Sequence, residues 1–346
     1  MNTLTWFGRR RLVVSLLLCL GAALVAPTQG SANSDGFADN PQAQAFIKRL
    51  VKEHGFDESE LRTTLAGAKH RQDIIDLMRR PAEGKPWNHY RRIFITQKRI
   101  DGGIQFWREN EDAIQQASAK FGVDPQIIVA IIGVETMYGG NMGRHRVIDA
   151  LATLAFDYPP RSRFFTKELE QFMLLAREEG VPVDSLKGSY AGAMGYGQFI
   201  PSSYRHYAVD GDGDGHRDLL GNTHDAIFSV ANYFARHGWK KGQPITEQVD
   251  VGGPAPKASK GLKPSRTVAS LRNAGIELKN ADDGNQKVTF MELETDSDQP
   301  EYWVGYHNFY VITRYNHSHK YAMAVYQLSR AIDNGHSQGK NRSSAQ

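Results

Sequence analysis

The sequence predicts a mainly α-helical protein with a small α/β insertion, on three observations. Apolar residues recur at three- and four-residue spacing through residues 41–121, which is the periodicity of amphipathic helices. Residues 126–134 form an almost unbroken apolar run after a proline, as a buried helix does. Residues 241–302 differ, because they are rich in loop-forming residues and contain one alternating segment, QKVTFMELET, that is typical of a strand.

The first 32 residues have the composition of a secretory signal. Arginines at 9–11 precede an apolar run over residues 12–26, and small residues follow up to an expected cleavage after Ala32. The run is short for a membrane span, so we expect a periplasmic protein with no integral span after maturation. An uncleaved anchor, lipidation at Cys19 and export by the twin-arginine route are the alternatives.

Charge and cysteine content exclude several classes of function. Loss of the signal removes three arginines and leaves 39 basic against 38 acidic residues, which gives no support for nucleic-acid binding. Cys19 is the single cysteine and leaves with the signal. The mature chain therefore has no disulfide, thiol nucleophile or cysteine metal site. We expect a monomer without a nucleic-acid partner.

The first helices are expected within residues 41–121. Apolar residues share one face of QAQAFIKRLVKEHG and of DESELRTTLAGAK, and Asp57 with Glu60 resembles a capping box. Residues 90–122 predict two more helices around Gly102-Gly103.

The next helix is expected to begin after Asp124 and to end at Gly139-Gly140. Its residues 126–135 hold seven aliphatic side chains and a single carboxylate, Glu135. Burial and the dipole of the helix C-terminus both disfavour a negative charge there, so we expect a raised pKa for Glu135. A carboxylic acid protonated near neutral pH suits general-acid cleavage of a glycosidic bond.

Two other interpretations of Glu135 remain open at this point. The side chain could point outward or pair with Arg144 or Arg146. Glycosidases usually use a second carboxylate, and Asp149 and Asp157 are available, although neither has a distinctive setting. A mechanism that uses Glu135 as its single acid therefore has the same weight as one that uses two carboxylates.

The remaining chain divides into helical segments around one insertion. We expect helices in residues 145–180, then a glycine-rich loop and an acidic loop that each lead into a helix. In the insertion, EYWVGY is expected to pair with the alternating segment, and after it a short extended piece should lead to a final helix. The expected divisions are 1–32 (signal), 33–86 (N-terminal helical region), 87–240 (catalytic core), 241–302 (insertion), 303–335 (end of the core) and 336–346 (disordered tail).

Four motifs in matching order carry a family resemblance. They are GVETMYGG, GSYAGAMGYGQFIPSSY, AIFSVANYFARHGW and ITRYNHSHKYAMAV. Together they resemble the B-type lytic murein transglycosylases, bacterial enzymes that cleave peptidoglycan. The resemblance runs from about residue 87 to 331 and implies a lysozyme-like, mostly helical core.

The resemblance also implies a reaction and a catalytic residue. These enzymes cleave the β-1,4 bond between N-acetylmuramic acid and N-acetylglucosamine without adding water. The muramic acid's own 6-hydroxyl attacks its anomeric carbon and leaves a 1,6-anhydro end. Glu135 matches the family's single catalytic acid, and the substrate's acetamido group takes the place of a second carboxylate.

Substrate-binding residues are implied by the same motifs. Ser189 and Gln198 match polar residues of the sugar cleft, although a glycine-rich loop is also a common structural turn. The other matches are Tyr90, Arg161, Tyr233, Tyr315, Asn316 and Tyr321. Asn316 on its own would be interpreted as a helix cap, and Tyr233 as a core or surface residue. The family often has two arginines after the tyrosine-proline, and Pro160 occupies the first of these positions, which weakens the match at Arg161.

The segment DGDGDGHRDLLG begins like an EF-hand calcium loop. Asp210, Asp212 and Asp214 occupy the first three ligand positions, and His216 would contribute its backbone carbonyl. Position twelve is a glycine, and the resemblance supplies Asp225, in the next helix, as the last ligand. The expected cofactor is a structural Ca²⁺, and the alternative is a turn of aspartates and glycines without metal.

Three classes of function follow from these patterns. The preferred one is an enzyme, a lytic transglycosylase acting on peptidoglycan glycan strands. A muramidase that adds water is the second, and a wall-binding protein without activity is the third.

Overall fold

The structure, a computed structural model, describes residues 36–79, 85–281, 283–297 and 299–343. The expected signal and its cleavage point lie outside these residues. The described residues belong to one compact unit, so the internal boundaries drawn from the sequence stay predictions. Helices predominate, as the sequence predicts, and the strands are confined to two small sheets.

Within the described residues, six helices precede the central helix, which carries Glu135. Their bounds are α1 Pro41–His54, α2 Glu58–Ala66, α3 Gln72–Met78, α4 Trp87–Phe94, α5 Gln97–Glu109 and α6 Glu111–Phe121, and the central helix is α7 Pro125–Thr136. Several of these helices are N-capped by the side chain of the residue before them. At the start of α2, Asp57 accepts a 2.9 Å hydrogen bond from the Glu60 amide, as expected.

The expected break at Gly102-Gly103 is wrong, because both glycines lie inside α5. The chain turns instead at Ile95 and Thr96, and the Thr96 side chain accepts a hydrogen bond from the Arg99 amide as the N-cap. Gly103 is required by packing: a Cβ there would lie 2.5 Å from the Tyr138 hydroxyl. The glycines permit close approach and do not terminate the helix.

Helix α7 is the central element, and its residues 127–134 are all buried. It ends at Thr136 and not at the expected Gly139-Gly140, because Met137 adopts a left-handed conformation with φ of 53°. Asp124 occupies the N-cap position but makes no cap hydrogen bond. No single described helix is long and apolar enough to cross a membrane; only α6 and α7, bent by 115°, pass that test as a pair.

The segment after α7 alternates helices with loops that carry site residues. Its elements are β1 His145–Arg146, α8 Val147–Phe156, α9 Ser162–Glu178, β2 Lys187–Gly188, α10 Pro201–Tyr207 and α11 Thr223–Arg236. Strands β1 and β2 pair antiparallel, and a 3₁₀ turn, Pro159–Arg161, links α8 to α9. The glycine-rich loop leads into α10 and the acidic loop into α11, as the sequence predicts.

The insertion is a four-stranded antiparallel sheet with one short helix. It contains β3 Thr246–Val249, β4 Arg266–Thr267, α12 Val268–Arg272, β5 Lys287–Leu293 and β6 Glu301–Gly305, in the order β3-β6-β5-β4. The predicted pairing of β5 with β6 is confirmed. A separate apolar cluster fills one side of the sheet, while Met291 and Leu293 join the main core.

The chain closes with α13 His307–Tyr315 and α14 His319–Ser343, which correct two expectations. The expected extended piece is the helix α13, whose buried Phe309 and Ile312 recur at helical spacing. The expected disordered tail is helical to Ser343, because α14 packs on the core beyond residue 335. His336 is buried there, stacks 4.3 Å from Trp107, and lies 3.1 Å from Glu111.

Candidate active site

Glu135 lies at the point where the buried helix α7 reaches the surface. It is the penultimate residue of the helix and is half-buried, whereas the residues on both sides of it are buried. The Tyr321 hydroxyl donates a 2.6 Å hydrogen bond to Glu135 Oε1. The single carboxylate of α7 is therefore bound by a residue that lies 186 positions further along the chain. The raised pKa expected from the sequence stays a prediction.

Three tyrosines predicted from the motifs pack together beside this carboxylate. The rings of Tyr315 and Tyr321 lie parallel at 6.5 Å, and Tyr233 lies 4.7 Å from Tyr315. Burial, followed by the negative charge of Glu135, raises the pKa of both Tyr315 and Tyr321 well above the usual value. Tyr321 therefore stays a hydrogen-bond donor across the whole physiological pH range.

The hydroxyls of the other two tyrosines bind backbone. Tyr315 donates to the Gly197 carbonyl at 2.6 Å, and Tyr233 donates to the Arg314 carbonyl at 2.6 Å. Tyr233 is 8% exposed. Tyr315 thus holds the glycine-rich loop and Tyr233 holds the end of α13, and a direct contact of either with substrate stays a prediction.

The glycine-rich loop lies against the end of α7. Thr136 Oγ1 is 2.9 Å from the Tyr196 carbonyl, which joins the residue after Glu135 to this loop. Within the loop, Ser189 Oγ accepts hydrogen bonds from the amides of Ala191 and Ala193. The Gln198 amide group donates to the carbonyls of Met142 and Gly195 at 3.1 and 3.0 Å. The contacts of Thr136 with Tyr196 and of Gln198 with Met142 join the glycine-rich loop to the chain segment that contains and follows Glu135.

Backbone strain is concentrated at this site. Among the described residues, the non-glycine residues with positive φ are Met137 (53°), Tyr138 (61°) and Gln198 (50°). Such conformations are uncommon outside glycine and cluster at functional sites. Two of them lie two and three residues after Glu135, and the third is a predicted cleft residue. Sequence reasoning missed Met137 and Tyr138, because the following glycine pair was interpreted as the helix end.

The three remaining predicted substrate-binding residues lie in different environments; they are Tyr90, Asn316 and Arg161. Tyr90 is 2% exposed in α4, which packs on α14, the helix of Tyr321. Asn316 follows α13 as its C-cap residue, at the junction with α14. Arg161 is exposed and lies over the Phe164 ring at 4.3 Å. Among the contacts of the described residues, none joins Arg161 to the Glu135 group.

The two alternative carboxylates have structural partners elsewhere. Asp149 is 2% exposed; it accepts a hydrogen bond from the Lys69 amide and pairs with Arg146 at 3.2 Å. Asp157 lies 2.7 Å from the His70 ring. Both groups therefore tie α8 and its end to the N-terminal helical region. This arrangement favours the interpretation with one acid.

The acidic loop brings three predicted ligands together. Carboxylate oxygens of Asp210, Asp212 and Asp214 all lie within 4.8 Å of one another. Gly213 and Gly215 have φ of 83° and 92°, which the tight turn requires. The His216 amide donates to Asp214 at 2.8 Å. An all-oxygen donor set of this kind suits Ca²⁺.

Asp225 holds the two ends of this loop. It is fully buried, and its two oxygens accept hydrogen bonds from the amides of Gly211 at 2.7 Å and Asp218 at 2.6 Å. Burial raises its pKa. Asp225 is not part of the cluster of three aspartates, so its predicted role as the closing ligand stays a prediction.

Comparisons with known proteins agree with this fold and site. Residues 38–330 match the family model described as Transglycosylase SLT domain. The chain is 45% identical to membrane-bound lytic murein transglycosylase B of Escherichia coli over 323 residues, 90% of this chain and 88% of that protein. The chain therefore belongs to the Transglycosylase SLT domain family, among the lytic murein transglycosylases of the B type.

Solved structures show the same likeness. The lytic transglycosylase Slt35 of Escherichia coli, in complex with calcium, is 45% identical with a TM-score of 0.81, covering 88% of this chain and 98% of that one. SltB3 of Pseudomonas aeruginosa, in complex with NAG-anhNAM-pentapeptide, is 29% identical with a TM-score of 0.72, covering 84% of this chain and 78% of that one.

Proposed function

We propose that this chain cleaves the β-1,4 bond between N-acetylmuramic acid and N-acetylglucosamine in peptidoglycan and leaves a 1,6-anhydro end. The observation that carries the proposal is one carboxylate, Glu135, at the end of a buried helix with a tyrosine hydroxyl bound to it. The relatives support the substrate, because one is named for murein and another was solved in complex with NAG-anhNAM-pentapeptide.

Glu135 serves in both halves of the proposed reaction. It first gives its proton to the glycosidic oxygen, the bond from that oxygen to the muramic anomeric carbon breaks, and the glucosamine leaves with a free 4-hydroxyl. The carboxylate then takes the proton of the muramic 6-hydroxyl, whose oxygen bonds to the same carbon. The substrate's acetamido group stabilises the positive charge between these steps. No water enters, and Glu135 ends protonated.

The surrounding residues orient this chemistry. Tyr321 keeps its proton and holds one oxygen of Glu135 through the hydrogen bond at 2.6 Å. Because Gln198 uses its amide hydrogens on backbone carbonyls, its amide oxygen is the acceptor it offers to a sugar hydroxyl. Ser189, Tyr90, Tyr233, Tyr315, Asn316 and Arg161 are proposed substrate-side residues on the motif match.

Calcium belongs to this proposal as a structural ion. Asp210, Asp212 and Asp214 would hold it, with the His216 carbonyl and Asp225 completing the set. The calcium complex of Slt35 supports this assignment. Bound there, the ion would stiffen the acidic loop, which Asp225 connects to the helix α11 that carries Tyr233.

Release of fragments from purified peptidoglycan tests the proposed activity. The chain from residue 33 onward, added to washed sacculi, is expected to lower their turbidity and to release soluble glycan fragments. A wall-binding protein would sediment with the sacculi and release nothing. Sedimentation without release would therefore refute the proposed enzyme and favour that alternative.

The proposed location is the periplasm, and the N-terminus of the mature chain tests it. We expect cells that express the full sequence to contain a protein beginning near Asn33, without a lipid. Mass spectrometry of the N-terminal peptide distinguishes the cases. A diacylglyceryl group on Cys19 as the first residue would contradict this expectation and place the enzyme on a membrane.

A further inference from the structure

Arg99 is a buried cation close to the end of the helix that carries Glu135. It is 8% exposed, and no ion pair among the described residues includes it. Burial lowers its pKa. A guanidinium in this position needs hydrogen-bond acceptors to offset the loss of its hydration.

The acceptors of Arg99 are the last carbonyls of two helices. Its Nε donates to the Gly133 carbonyl in α7 at 2.9 Å, and its Nη1 donates to the Ile93 carbonyl in α4 at 2.5 Å. The guanidinium also lies 5.3 Å from the centre of the Phe94 ring. Helix C-termini carry partial negative charge, which a cation stabilises. One side chain therefore fastens the ends of α4 and α7 together.

The main chain of Arg99 makes a second link to the same helix end. Its carbonyl accepts a 2.7 Å hydrogen bond from the Tyr138 hydroxyl. Tyr138 fits because Gly133 has no side chain; a Cβ there would lie 2.4 Å from that hydroxyl. Gly133 and Tyr138 stand on either side of Glu135 in the chain, so Arg99 holds the Gly133 backbone before the acid and the Tyr138 side chain after it.

The other helix held by Arg99 also reaches the site. Tyr90 lies in α4 three residues before Ile93, and its ring is 5.0 Å from Phe94. Helix α4 packs on α14, the helix of Tyr321, which donates to Glu135. Arg99 thus lies between the end of α7, which carries the proposed catalytic acid Glu135, and α4, which lies behind Tyr321.

We propose that Arg99 is a positioning residue for the reaction, which sets the place of the Glu135 carboxylate relative to α4 without touching substrate. The inference rests on the proposed role of Glu135. A purely structural Arg99 would contribute to stability alone and leave the turnover of folded enzyme unchanged.

The variants to compare are Arg99→Met, Arg99→Lys and Tyr138→Phe. Methionine removes the hydrogen bonds to the carbonyls of Gly133 and Ile93 while keeping an unbranched side chain. Lysine keeps the positive charge, but its ammonium group can bind the end of only one helix at a time. Tyr138→Phe breaks only the main-chain link. Arg177→Met is the matched control, because Arg177 donates to the His54 carbonyl at the end of α1 at 2.9 Å and lies 4.1 Å from the Phe56 ring.

Turnover and KM on soluble glycan strands are measured for each variant, with circular dichroism to confirm folding. For Arg99→Met we expect kcat to fall about 10- to 100-fold, because small misplacements of a catalytic group have effects of that size. KM should stay within about twofold. Arg99→Lys should recover part of the loss, and Tyr138→Phe should show a smaller loss of the same kind. The control should lose melting temperature but not kcat.

An unchanged kcat in folded Arg99→Met, or an equal loss in Arg177→Met, would overturn the inference. If Arg99→Met does not fold, Tyr138→Phe decides, and unchanged kcat there overturns it. Wild-type protein that cleaves no glycan would overturn the proposed function as well, which separates that failure from a failure of the positioning role alone.

Discussion

Replacing Glu135 by glutamine is expected to abolish nearly all formation of anhydro ends. Loss of a general acid typically lowers turnover about 10²- to 10⁴-fold, and the double use of Glu135 as acid and base places the expected loss near the upper limit. Glutamine is nearly isosteric, and its amide oxygen can still accept the hydrogen bond from Tyr321. Fold and glycan binding should therefore survive. Turnover on sacculi, cosedimentation with sacculi and melting temperature measure the three properties.

Asp157→Asn is the matched control for this variant. It removes another carboxylate that the sequence allowed as a second acid, and in the structure that group pairs with His70 at 2.7 Å. We expect it to keep near-normal turnover. Near-normal turnover of Glu135→Gln would show that Glu135 is not the acid, and a comparable loss in Asp157→Asn would indicate a mechanism with two carboxylates.

Removal of calcium is expected to lower the melting temperature. An ion that binds only the folded state stabilises it by about 2.7 kcal/mol at 100-fold excess over its Kd. For a chain of this length that corresponds to a shift of roughly 5 °C. Activity should fall mainly through unfolding, since the proposed ion would lie in the acidic loop and take no part in the chemistry. Thermal melts in excess calcium and in excess chelator measure the shift.

Asp212→Ala tests where the ion binds. Asp212 belongs to the cluster of three aspartates, and the variant should lose most of the calcium-dependent shift. Asp283→Ala is the control, because Asp283 caps the Asn285 amide at 2.8 Å in a turn of the insertion. Magnesium should substitute poorly, since it demands a tighter octahedral shell. Equal melting temperatures with calcium and with chelator would favour a metal-free turn.

The setting of Glu135 could be predicted from the sequence because it depends on local pattern. A run of aliphatic residues with one acid in its last turn predicts a buried helix with a carboxylate at its end, and the motif match adds the expected catalytic role. The same holds for Asp210, Asp212 and Asp214, whose alternate spacing brings them together within one turn. In both cases the residues that matter are close in the chain.

The contacts that complete the site depend on distant parts of the chain. Tyr321 reaches Glu135 across 186 residues, and Arg99 reaches Gly133 across 34. The family motifs identified Tyr321 as a site residue, although they do not show which residue it contacts. No motif pointed to Arg99, because a single arginine in an amphipathic helix looks like any exposed cation until its burial is known.

The wrong expectations share one physical cause, which is tertiary packing. Gly102-Gly103 resembles a helix break. Both glycines lie within α5, however, and the missing side chain of Gly103 leaves space for the Tyr138 hydroxyl to pack against that helix. Residues 336–346 have the polar composition of a disordered tail, yet α14 continues because His336 stacks on Trp107. Local propensity is weaker than a buried contact when the two conflict.

The mass of the new glycan ends, after digestion in ¹⁸O-enriched water, tests the central claim most directly. The claim is that a single carboxylate, Glu135, lets the muramic 6-hydroxyl attack in place of water. It predicts muramic ends that are one water lighter than reducing ends and carry no ¹⁸O, and it predicts their disappearance in Glu135→Gln. Reducing ends that contain one ¹⁸O each would contradict it and identify the chain as a hydrolytic muramidase.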